Sequence, residues 1–175
     1  MKPRTLLGTA LVTTVSAALA VGTQVPSYTE PSSAVAVDQQ ARTAAVDSAQ
    51  EYVGDHRSLF RASAGDAFQR VSTTAGSAGT HYVAYERTHE GLPVVGGDFV
   101  LAVNDDGKVT GRTLAQEKKI ALDSLTPAVT AASARKAARA EVAQVQQVGK
   151  PELVVYAQGT PRLAWQTLVT GREAG

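Results

Sequence analysis

Between His81 and Gln116 three strand-like runs follow in quick succession: HYVAYERTHE, VVGGDFVLAV and VTGRTLAQ. In the middle run Phe99, Leu101 and Val103 alternate with Val100 and Ala102, the two-residue period of a sheet with one buried face. The joints carry their own turn chemistry. Asn104-Asp105-Asp106-Gly107 contains an Asp-Gly pair, which supplies the positive φ angles of a tight hairpin. Gly91-Leu92-Pro93 makes the other bend, and Gly96-Gly97 marks a bulge or a close backbone approach. The spacing predicts a three-stranded antiparallel meander whose first strand ends at His89-Glu90.

His89-Glu90 is also the first half of His-Glu-x-x-His, in which a helix presents two zinc-binding imidazoles on one face. The second ligand would have to stand at position 93, one turn on, and that residue is Pro93. Proline offers no nitrogen to a metal and turns Leu92 before it away from helix. His89 is therefore expected to be a solvated histidine at a strand end. The chain has three histidines, His56, His81 and His89, and no cysteine, and no other ligand set shows metal-site spacing. Asp105-Asp106 lacks the alternate ligands and closing Glu of a calcium loop, so it reads as a plain turn. No nucleophile-elbow motif supports a serine triad. No catalytic or metal-ligating residue is assigned.

The amino terminus points to export. Lys2 and Arg4 precede an uncharged apolar run from Leu6, and Ala18-Leu19-Ala20 has the small-x-small form of a signal-peptidase site, with cleavage expected after Ala20. Thr13, Thr14 and Ser16 interrupt the run, which is short for a membrane span. The absence of an Arg-Arg pair favours the general secretory route, and no cysteine follows for a lipid anchor. A secreted protein with no membrane association after signal removal is expected. With 17 basic against 16 acidic residues, nothing suggests a nucleic-acid partner. Without cysteine the fold must be held by its core alone, and at 5% aromatic residues that core should be modest.

After a signal peptide (1–20), residues 21–37 are polar and proline-bearing and read as a flexible leader. A first unit spans 38–118. It opens with a helix from Asp38 to about Tyr52, with Val46, Ala49 and Val53 on a shared face. An irregular stretch from Gly54 follows, with Leu59, Phe60 and Phe68 as anchors into the core, and then the meander. A linker (119–127) leads to a second unit, 128–175. There Ala131, Ala134, Ala138, Val142 and Val145 recur at three- and four-residue steps, predicting a helix to about Val148, ended by Gly149 and Pro151. Arg135, Lys136 and Arg139 lie outside that stripe and read as a solvated face. ELVVYAQ and RLAWQTLV form a hairpin about Gly159-Thr160-Pro161, with Trp165 expected in the core. A helix over two strands is thin cover, so this unit is expected to be incomplete. The fold class is α+β, two small helix-on-antiparallel-sheet units in tandem.

The order of Leu-Phe anchors followed by HYVAYERTHEGLPVVGGDFVLAVNDDGKV resembles the propeptide domain of fungalysin- and thermolysin-type zinc metalloproteases. Gly91, Leu92, Pro93, Val94, Gly96, Gly97 and Gly107 stand at that family's motif positions. The helix and hairpin with PELVVYAQGTPRLAWQTLV resemble the first part of a PepSY domain, a cystatin-like unit, with Leu163, Ala164 and Trp165 on its Leu-Ala-Trp motif. The whole is similar to the front of a secreted actinobacterial thermolysin-like zymogen. The resemblance implies a non-catalytic pro-region that assists folding of its protease and inhibits it until removed. Its partner would be the cognate catalytic domain, in cis or in trans. Zinc and calcium would belong to that downstream domain, not to this chain. A free-standing secreted inhibitor or chaperone acting in trans is the alternative.

Overall fold

The computed structural model describes residues 32–142 and 144–172; the signal peptide, Ala18 and Ala20 included, and residues 21–31 of the leader lie outside them. The first helix, α1 (Ser32–Asp55), begins inside the expected leader. No glycine or proline interrupts the sequence from Ser32 to Val53, and alanine and glutamine carry the helix through. Its buried line is Ala45, Ala49 and Val53, one turn apart, with Val46 at the margin.

A 3-10 turn (Arg57–Phe60) follows and places Phe60 wholly in the interior. The stretch expected to be irregular then forms β1 (Asp66–Ala75). It pairs antiparallel along the whole of β2 (His81–His89), with a bulge between Arg70 and Ser72. That bulge shifts the inward face by one residue, which erases the alternation a strand would otherwise show.

VVGGDFVLAV proves to be two strands. β3 (Leu92–Val95) and β4 (Phe99–Val103) both pair with β2, at Thr88–His89 and at His81–Tyr85 respectively, and β4 pairs onward with β5 (Val109–Leu114). The break is set by Gly96, whose φ is +81°, and by a turn bond from Gly97 N–H to the Val94 carbonyl at 3.2 Å. At the β4–β5 turn only Gly107 has positive φ; Asp106 does not. Asn104 closes the loop instead, its side chain accepting from Lys108 N–H at 2.8 Å.

α1 lies on the inner face of β2 and β4. Ala45, Ala49 and Val53 meet Phe60, Val83, Tyr85, Phe99, Leu101 and Val103 there. Phe99 stacks on Tyr85 at 5.0 Å and meets the edge of Phe68 at 5.2 Å. Each such ring contributes about 1.5–3 kcal/mol by leaving water, so a few aromatics suffice where alanine lines the helix.

The second helix, α2 (Ala131–Ala140), stops well short of Val148, and Gln144–Val148 is a strand, β6. The three- and four-residue steps continue through Val142 and Val145, so periodicity alone could not mark the end. β7 (Glu152–Tyr156) and β8 (Arg162–Gln166) form the expected hairpin, and β9 (Val169–Arg172) returns antiparallel to β6 as a separate two-stranded sheet. β7 runs parallel to β3, Val94 opposite Val155 and Val95 opposite Tyr156. The strands therefore form one mixed sheet in the order β5-β4-β2-β3-β7-β8, with β1 on the other edge of β2.

Candidate functional site

The odd residues of β2 all point inward: His81, Val83, Tyr85, Arg87 and His89. A strand that buries Val83 and Tyr85 in the core therefore carries Arg87 and His89 inside as well. Burial of a guanidinium without an anion is prohibitively costly. The anion is Asp66, whose register on β1 sets it opposite His89. One carboxylate oxygen lies 2.7 Å from His89 Nδ1; the other accepts from Ser63 N–H at 2.8 Å and faces Arg87 Nη1 at 3.4 Å. Arg87 Nη2 donates to the Phe60 carbonyl, and the guanidinium lies 4.8 Å above the Phe68 ring. Burial pushes the Arg87 pKa down, and the nearby Asp66 charge opposes that shift.

This node ties four segments. Arg57 Nη2 reaches the Asp66 carbonyl at 2.9 Å, and Ser63 Oγ reaches the Ile120 carbonyl at 2.6 Å, drawing in the connection after β5. His89 is buried, 8% exposed, and not the solvated histidine expected from its place at a strand end. The register opposite Asp66 is the reason. A guanidinium beside the shared carboxylate makes the node a poor seat for a divalent cation, and among the described residues no cluster of three His, Asp or Glu side chains is placed to hold a metal.

The motif positions separate into distinct uses. Gly91 turns the chain out of β2, and Pro93 sits exposed on β3 opposite Thr88. Gly97 is buried at a close approach: a Cβ there would come within 2.6 Å of Val94 Cγ1 and 3.2 Å of Arg87 Cβ. Gly96 backs onto Gln158, and Gly107 faces Ser48 of α1. Leu92, Val94 and Leu163 join one apolar cluster with Ile120, Val155 and Ala157. The two motif segments, distant in sequence, thus meet across β7.

Ala164 and Trp165 are used differently. With Leu153, Leu163, Ala134, Ala137, Ala138 and Glu141 they line an open groove of about 460 Å³ between α2 and the β7–β8 hairpin. Trp165 is only part-buried, against the expectation of a core position, because α2 buries no residue and stands off the hairpin. Its indole N–H donates to the Val129 carbonyl at 2.7 Å. Charge is also divided between the halves. Residues 38–118 carry eleven acidic and eight basic side chains, and residues 128–172 two acidic and six basic.

Sequence reasoning found the glycine motif and missed the ionic node. Its signal was present in the alternation of HYVAYERTH, which puts Arg87 and His89 on the side of Val83 and Tyr85. The partner, Asp66, was hidden in a segment without strand periodicity.

Residues 66–111 match the Fungalysin/Thermolysin Propeptide Motif, a span that runs from Asp66 itself through β2, β3 and β4 into β5. Over 99 residues, 53% of this chain, the sequence is 42% identical to a transglutaminase-activating metalloprotease of Streptomyces mobaraensis. The chain spans 13% of that relative's length. From Asp66 to Gly111 the chain is therefore similar to the propeptide motif of fungalysin- and thermolysin-type proteases.

Proposed function

We propose that this chain is the pro-region of a secreted thermolysin-like zinc metalloendopeptidase precursor, acting as chaperone and inhibitor of its catalytic domain. The observation that carries the reading is the propeptide motif on 66–111, which coincides with the strands built around the Asp66 node. In this reading residues 128–175 are PepSY-like, and zinc and calcium belong to the catalytic domain. Signal-directed export through the segment ending at Ala20 is part of the same proposal. Among the described residues no helix is long and apolar enough to cross a membrane.

The energetics require little affinity. A pro-region that binds only the folded protease stabilises it by about 2.7 kcal/mol when present at a hundredfold excess over its dissociation constant. Covalent linkage supplies an effective concentration of that order without tight contacts. The sheet face bearing β3, β7 and β8, where both motif segments meet, is the docking surface this reading favours. The test is refolding of a denatured thermolysin-like protease with the full chain added. Higher recovered protein mass in the folded fraction, with activity suppressed until the chain is digested, is expected. Unchanged recovery at stoichiometric excess would sink the proposal.

A further inference from the structure

Among the described residues, five large hydrophobic side chains stand well exposed: Val71, Tyr82, Leu125, Val129 and Leu168. Four of them sit on backbone that is held. Val71 lies in β1 and Tyr82 in β2. The Val129 carbonyl accepts from Trp165, and the Leu168 carbonyl accepts from Gly149 N–H at 2.8 Å. Leu125 differs. The hydrogen bond in its stretch is a local one, Thr126 N–H to Ser124 Oγ at 3.0 Å. Asp123, Ser124, Leu125 and Thr126 are all exposed.

The stretch is pinned at both ends. Ile120 is buried, 3% exposed, with its carbonyl bonded to Ser63, and Val129 is tied to Trp165 just before Thr130 caps α2. Residues 121–128 between these points form no strand or helix. An endopeptidase binds its substrate as an extended chain and reads a side chain beside the bond it cuts. A strand must first be freed from its neighbours in the sheet to enter such an enzyme's cleft; the stretch around Leu125 is in no strand or helix and need not be.

We propose that the peptide bonds flanking Leu125 are a processing site for an endopeptidase with an apolar specificity pocket, cut while the fold remains intact. One C–N bond breaks and one water is consumed. Its hydroxyl goes to the carbonyl carbon and its proton to the leaving nitrogen, giving a carboxylic acid and an amine, and transfer of the acid proton to the amine leaves a carboxylate and an ammonium as new termini. The halves stay paired afterwards through Val94–Val155, Val95–Tyr156 and the Ala157 N–H bond to the Val95 carbonyl at 2.9 Å. Their association has become bimolecular, so dilution separates what the intact chain holds together. Resting on the pro-region reading, such a cut makes restraint of the protease depend on the concentration of the two halves.

The experiment is brief digestion of the full chain with thermolysin at low ratio, read by intact mass and by size exclusion. Within residues 32–172 the first cut should flank Leu125, and the two fragments should co-elute. Leu125→Asp should slow that cut about tenfold, the scale on which an apolar pocket discriminates, with an unchanged unfolding midpoint. A first cut in that range at Leu168 or elsewhere, or an L125D chain cut equally fast at the same bond, overturns the proposal. Refolding assistance is scored separately: its loss with the cut retained sinks only the pro-region reading, and the converse sinks only the processing site.

Discussion

Asp66 is the residue on which the buried charges depend. Among the described residues it is the one carboxylate bonded to both Arg87 and His89, and neither of those can turn outward without dragging β2 from the sheet. Asp66→Asn keeps the shape and removes the charge, leaving a buried guanidinium uncompensated. A loss of about 3–5 kcal/mol is expected, measured by urea unfolding; a change under about 1 kcal/mol would mean that the node is ornamental. Tyr85 presents the opposite case. Its ring is stacked on Phe99 while its hydroxyl finds no partner among the described residues. Tyr85→Phe should be neutral or stabilising by about 1 kcal/mol. Burial raises the Tyr85 pKa, against the pull of Arg70. Above about pH 10 the unfolded chain therefore releases a proton that the folded chain retains, and stability falls as pH rises. Below that range the contribution is intact. The Phe variant should show a shallower alkaline decline in thermal-melt midpoint, and parallel declines would refute the assignment.

At the scale of elements, α2 stands apart from the rest. It is capped at Thr130, whose hydroxyl accepts from Ser133 N–H at 3.2 Å, yet none of its residues is buried. Arg135 Nη2 to the Val148 carbonyl, at 3.0 Å, is its polar tie to the neighbouring strand. A short helix without a buried face is marginal in water. Its amides should exchange with deuterium long before those of β2 and β4, and Thr130→Ala should speed that exchange without moving the global unfolding midpoint. Equal protection across α2 and β4 would show that something covers the groove. The same contrast explains what could be read in advance. Phe99, Leu101 and Val103 were legible because one strand buries one face with an unbroken period of two. β1 was not, because Asp66 and Thr73 among its inward residues are polar and its bulge breaks the period. The boundary between α2 and β6 was illegible for a third reason. Val142 and Val145 continue the helical step, and only pairing with β9, far along the chain, makes residues 144–148 extended. Of the site, the glycines at 91, 96, 97 and 107 announced their turns, while the Asp66–His89 bond depends on a strand register that sequence spacing does not encode.

For the whole molecule the question is whether two units in tandem behave as one. The two units in tandem meet in a single mixed sheet, with β3 as the shared member. The joint is short, since β3 and β7 pair at two positions, but it is sealed by Val94, Ile120, Val155 and Ala157, all buried. Val94 lies at its centre, beneath Gly97 and beside Val155. The single tryptophan, Trp165, reports on the second half, whereas far-ultraviolet circular dichroism reports on all the strands and α1. In the native sequence the two signals should change together with urea, as one cooperative transition. Val94→Asp places an unpaired carboxylate in the apolar joint, a cost of several kcal/mol unless the joint opens. Opening is the cheaper response, because the Asp66 node and the α1 core do not involve β7. The Trp165 transition should therefore move to lower urea while the dichroism keeps a later component from β1, β2, β4 and β5. Separate transitions in the native protein would mean that the units were independent from the start. A common downward shift in the variant would place the joint inside the core that holds β1, β2, β4 and β5 together.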